Sequence, residues 1–187
     1  MIGPAAAAGI WIPPKLAHRI RRVCTTLGAA TLAAALLVGV GMPVIGPALP
    51  TATSPVTMLT TSAGIFLGLF LAVSGVTMTM ARGWVSLGRH PGGTDFLFDA
   101  RPAATGTVVL FTAAAASMLS ALFFFVSYTA NITWSNGPHP VNVHPVTPSI
   151  VLFLLLPVLA VGLTLVNLLV GWPLFRPSQR SIQRYAR

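Results

Sequence analysis

"SIVLFLLLPVLAVGLTLVNLLVGW", residues Ser149 to Trp172, decides the fold. It carries no Lys, Arg, Asp, Glu or His. It also exceeds the roughly 20 residues that a helix needs to cross a hydrocarbon core of about 30 Å. An open strand in lipid would leave its backbone N–H and C=O groups without partners, so the stretch reads as a transmembrane helix. Three more blocks of the same kind precede it, Thr25 to Ile45, Val56 to Ala81 and Ala103 to Ala130, and none contains an ionisable Lys, Arg, Asp, Glu or His. The expected fold is an all-α integral membrane protein, a bundle of four transmembrane helices spanning about 25–45, 56–81, 103–130 and 149–172.

The composition points the same way. Charged residues are 7% of the chain, hydrophobic ones 55%, and the mean hydropathy is +0.83, whereas a soluble domain is roughly a quarter charged. The net charge of +9 comes from 11 basic residues against two acids, Asp95 and Asp99. In a soluble protein that excess would suggest nucleic acid. Here the basic residues sit at the ends of the apolar blocks, as membrane insertion requires, so no nucleic-acid partner is expected.

Their distribution sets an orientation. Lys15, Arg19, Arg21 and Arg22 precede the first block, Arg82, Arg89 and Arg101 lie between the second and third, and Arg176, Arg180, Arg184 and Arg187 follow the fourth. The other two connections, 46–55 and 131–148, contain no Lys, Arg, Asp or Glu. The positive-inside rule then places both termini and the 82–102 loop in the cytoplasm. The chain divides into a cytoplasmic segment 1–24, a membrane domain 25–172 and a basic cytoplasmic tail 173–187. Arg outnumbers Lys ten to one and Ala and Gly abound, which suits a high-GC bacterial genome and the inner membrane of a bacterium. The first block is too long for a signal-peptide core and lacks a good cleavage site, so it reads as a retained span. Pro14 suits the first turn of a helix running through Lys15, Arg19 and Arg22 into that span.

The helix faces suggest packing. In the second block Thr60, Gly64, Gly68 and Ala72 recur every four residues, with Gly75 one turn further. A stripe of small side chains lets another backbone approach closely. Ala113, Ser117 and Ala121 form a similar face on the third block, and the expectation is that these two faces meet. In the fourth block Pro157 predicts a kink, and Asn167 an interhelical hydrogen bond.

The candidate chemical sites are sparse. His139 and His144, with Asn142 between them, could ligate zinc or copper, but no thiol or carboxylate completes a set and the surrounding prolines favour a stiff loop. Asn131-Ile132-Thr133 matches a glycosylation sequon, which has no use in a bacterium. Cys24 stands alone, with no Cys/His metal pattern around it, and reads as a small residue at the membrane mouth. Asp95 and Asp99, four apart, would share a face of a helix, with Thr94 as its candidate N-cap after a Gly92-Gly93 turn. No catalytic or nucleotide-binding fingerprint occurs, and the spans lack the groups used in proton relays and ion pathways. No cofactor, metal or enzymatic activity is expected.

The functional expectation is a non-enzymatic accessory or scaffolding subunit of a larger cell-envelope membrane complex, a transporter being one such complex. Trp84, Asp95, Phe96, Phe98 and Asp99 would dock the partner, and Arg180, Arg184 and Arg187, at helical spacing, would rest on anionic lipid headgroups. The alternative is a self-contained oligomeric channel or carrier for an apolar or uncharged solute, whose path either the Gly/Thr-rich second span or the kinked fourth could line.

Overall fold

The computed structural model describes residues 9–48, 54–90, 93–135 and 148–176. Four long helices dominate it: α1 (Pro14–Ala48), α2 (Ser54–Ala81), α3 (Ala100–Ser135) and α4 (Pro148–Phe175). Each is long and apolar enough to cross a membrane, and together they are compatible with a multi-pass membrane protein. Their outward faces carry large apolar residues such as Leu36, Leu119, Phe123 and Leu169, all more than half exposed. That surface suits hydrocarbon and not water.

α1 begins where the sequence implied. The Pro13 carbonyl accepts from the N–H groups of Leu16 and Ala17 at 3.0 and 3.1 Å, and Pro14 takes the first helical position, where its missing N–H costs nothing. The helix spans 35 residues, about 52 Å at 1.5 Å per residue, so it exceeds the hydrocarbon thickness by several turns. Its first turns hold Lys15, His18, Arg19 and Arg22 outward and bury Leu16, Ala17, Ile20 and Cys24.

A three-stranded antiparallel sheet is the feature absent from the sequence expectation. β1 (Gly9–Ile12), β2 (Val85–His90) and β3 (Gly93–Asp99) pair in the order β1-β3-β2. β2 follows a short 3-10 turn, Arg82–Trp84, at the end of α2. The register sets Ile10 opposite Phe98 and Phe98 opposite Val85, and likewise Ile12, Phe96 and Leu87 in a row. Residues directly opposite share a face, so one face presents these apolar side chains while Trp11, Leu97 and Ser86 line the other. The apolar face closes over the beginning of α1 and the adjoining ends of α2 and α3.

The core therefore has two apolar clusters. One, at the sheet end, joins Ile12, Ile20, Cys24, Met78, Phe98, Leu110 and Phe175. The other, at the far end, joins Val38, Met42, Leu67, Phe124, Tyr128, Phe153 and Leu156. Aromatic rings knit the far cluster, with Phe124 edge-on to Phe153 at 5.6 Å and stacked on Tyr128 at 5.8 Å. Such pairs contribute about 0.5–1.5 kcal/mol each beyond the area they bury.

The small-residue stripe of α2 packs against α1, not against α3. A Cβ built on Gly68 would lie 2.7 Å from the Gly39 Cα, one on Gly64 would lie 2.7 Å from the Met42 Cβ, and one on Gly75 would lie 3.1 Å from the Gly28 carbonyl. The reason is that α1 has its own small face, Gly28, Ala35, Gly39 and Gly46, along which α2 lies antiparallel. On the α3 face Ser117 meets α4 instead and Ala121 shares an apolar groove with Pro157 and Val161, while Ala113 lines a groove with Leu69, Phe70 and Val73 of α2.

Candidate functional site

Two places concentrate chemistry: a polar layer inside the bundle, and the sheet end with its basic surroundings. The polar layer lies between the two apolar clusters and takes a residue from every helix. The Asn167 amide of α4 donates to Thr31 Oγ1 of α1 at 3.0 Å and to Ser74 Oγ of α2 at 2.8 Å. Thr31 Oγ1 donates back along its own helix to the Leu27 carbonyl at 2.8 Å. One turn away, Thr164 of α4 and Ser117 of α3 face each other with their hydroxyl oxygens 2.7 Å apart. All five side chains are fully buried. Polar groups in an apolar interior cost free energy unless paired, and these pair with one another across helices. The arrangement fixes the rotation of four helices about their axes, since turning any one would break a bond.

At the sheet end, the residues expected to dock a partner divide by strand geometry. Phe98 is fully buried and Phe96 is 7% exposed, because alternate residues of a strand point to opposite faces. These two rings are core residues, so the accessible face of β3 narrows to the residues between and beside them. Leu97 there is half-buried and Asp99 exposed; Asp95 is described in its backbone only. Trp84 is half-buried, edge-on to Phe175 at 4.8 Å, and its ring lies against Gly106.

The two carboxylates lie on a strand and not a helix. Thr94 is a strand residue, and the cap of α3 is Asp99, whose Oδ1 accepts from the Arg101 N–H at 3.1 Å. That bond satisfies one of the orphan donors at the helix start, and the negative charge there is favoured by the helix dipole. Helix capping thus gives Asp99 a structural role at the start of α3.

Basic residues surround this end. Arg21 donates from Nη2 to the Val85 carbonyl at 2.7 Å and lies over the Phe96 ring at 5.5 Å, anchoring α1 to the start of β2. His18 meets the same ring edge-on at 5.5 Å. Arg176 lies over the Trp172 ring at 4.3 Å, one helical turn apart, a pairing that suits a membrane interface. Among the described residues no group of three His, Cys, Asp or Glu side chains could hold a metal ion. His139, Asn142 and His144 lie outside the described residues, as do Arg180, Arg184 and Arg187.

Sequence reasoning found Asn167 and the small residues, which the structure places at helix contacts. It missed Thr31, Ser74 and Thr164 as partners in one layer. Their signal was weak, because a hydroxyl in a span can always bond to its own helix. Cys24, expected at the membrane mouth, is fully buried in the sheet-end cluster.

The class defined by this architecture is a four-helix protein of apolar, membrane-compatible helices with a small sheet at one end. No protein-family model matches the chain, no curated protein matches it, and no solved structure does so.

Proposed function

We propose that this chain is a non-enzymatic accessory or scaffolding subunit of a larger bacterial membrane complex, with both termini and the sheet end in the cytoplasm. A transporter is one complex that would fit. The observation that carries this reading is the sheet. In the order β1-β3-β2 the two outer strands each pair on one side only among the described residues. An edge strand presents a row of backbone donors and acceptors that a partner's strand can extend. Trp11 and Leu97, opposite each other on the outer face, lie beside that edge, with the Asp99 carboxylate at its end.

The interior supports a structural role. Its polar groups bond to one another across the helices. The Gly/Thr face of α2, one of the two spans that could line a solute path, is occupied by α1. This favours the subunit reading over the channel or carrier alternative. The basic tail, with Arg180, Arg184 and Arg187, would hold the chain's end on anionic headgroups of the inner membrane.

Purification of the full chain from its native membrane in a gentle detergent tests the reading. Stoichiometric recovery of larger membrane proteins is the expected result. A clean monomer or homo-oligomer overturns it. Replacing Asp95 and Asp99 by Asn keeps the capping acceptor while removing the charge, so reduced recovery of the partner would locate docking at the sheet.

A further inference from the structure

We propose that the first half of α1 binds one anionic phospholipid of the adjacent leaflet, with the phosphate on Arg22 and an acyl chain seated in the groove between α1 and α2. Three observations on one helix face combine. At its polar end, Lys15, Arg22 and Thr25 are all exposed, and at 100° per residue they fall within one third of the helix circumference. Side chains tilt toward a helix's start, so the Arg22 guanidinium reaches toward the turn below it, where Lys15 adds to the positive potential. Thr25 adds a hydroxyl just inside. No described carboxylate is bonded to this face; Asp99 spends an oxygen capping α3.

Further along the same face come Ala29 and Ala33, both exposed. Nothing larger than a methyl group protrudes there, so a hydrocarbon chain can lie against the helix. The face then opens into an apolar groove of about 490 Å³ lined by Leu32, Leu36, Gly39 and Val40 of α1 with Ile65 and Leu69 of α2. The groove exists because Gly39 and Gly68 bring the two backbones together and leave no side chain at the crossing.

The length matches one leaflet. The groove begins at Leu32, ten residues beyond Arg22, which is about 15 Å along the axis. Half a hydrocarbon core of about 30 Å is the same depth. The phosphate lies in the headgroup layer, about 5 Å outside that core, so a lipid whose phosphate sits at Arg22 extends its chain about 20 Å, past Leu32 and into this groove. Charge at one end, a smooth path and a hollow at the right depth favour a phospholipid over a partner helix, which would need no basic end. The proposal rests on the membrane-spanning reading and is independent of the subunit reading.

Native mass spectrometry of the full chain, released from mild detergent and titrated with phosphatidylglycerol or phosphatidylcholine of identical chains, tests it. The first phosphatidylglycerol adduct should form about tenfold more tightly. Lys15→Gln with Arg22→Gln should remove that preference. Ala33→Phe, at a lipid-exposed position, should weaken both adducts by obstructing the path, while the thermal midpoint shows that the fold is kept. Glycerol 1-phosphate, a headgroup without chains, should fail to displace the lipid. Equal affinity for the two lipids, a preference that survives loss of both basic residues, an unaltered Ala33→Phe variant, or displacement by glycerol 1-phosphate at matched concentration would each overturn the proposal.

Discussion

Asn167 on α4 donates to Thr31 on α1 at 3.0 Å, joining residues 136 apart in the sequence through the middle of the bundle. The same amide reaches Ser74 on α2, so one side chain ties three helices. In an apolar surrounding, such a bond has few competitors, yet hydroxyls in helices retain local alternatives. The net value of the tie is therefore modest.

Replacing Asn167 with Leu should lower the unfolding free energy by about 1–2 kcal/mol, the range seen for interhelical hydrogen bonds in membranes. Thr31 keeps its bond to the Leu27 carbonyl, which limits the loss. Denaturation by increasing SDS, followed by circular dichroism, measures it. An unchanged midpoint would show that the Asn167 tie contributes no stability.

Two glycines should respond in opposite ways. A Cβ at Gly68 meets the Gly39 Cα and N at 2.7 and 3.0 Å. These are backbone atoms, so α1 and α2 would have to separate, and Gly68→Ala should cost about 1–3 kcal/mol as overpacking does. At Gly162 nothing lies within 4 Å of the added carbon. Gly162→Ala should be neutral or stabilising by up to about 1 kcal/mol, from helix propensity alone. The same SDS titration compares them.

This contrast marks how far the sequence reaches. Four spans were legible because uninterrupted apolar length is a strong signal with one physical cause. The close contacts of Gly64, Gly68 and Gly75 were also legible, but not their partner, since small faces occur on α1, α2 and α3 alike. The sheet was not legible, for two reasons. β1 has four residues and pairs with a strand more than eighty residues later, a connection that no local pattern encodes. In β3, the four-residue spacing of Asp95 and Asp99 fits one face of a helix and one face of a strand equally well. The alternation of Phe96, Leu97 and Phe98 offered no polar contrast to reveal a period of two.

Asp99 separates capping from charge. Asp99→Ala removes the acceptor for the Arg101 N–H and should destabilise the protein by about 1 kcal/mol, as the loss of an N-cap does. Asp99→Asn keeps an acceptor oxygen and should cost less than half of that. If both variants lose equal stability, the charge rather than the cap is what matters at this position.

The packing of the sheet against α1 can be read through Cys24. Its thiol is fully buried in the cluster that contains Ile12, Phe96 and Phe98, and a buried thiol reacts only when its surroundings open. In the intact protein, in mild detergent, Cys24 should react with a maleimide far more slowly than after SDS denaturation. Phe98→Ala removes a fully buried ring from the layer, a change that costs about 3–5 kcal/mol in well-packed cores. Opening at the sheet end then becomes easier, and labelling should accelerate tenfold or more. Leu87→Ala, on the same face but 68% exposed, should leave the rate unchanged. Fast labelling of the unaltered protein would mean that the sheet does not close over α1, and the docking proposed at the sheet would then lose its support.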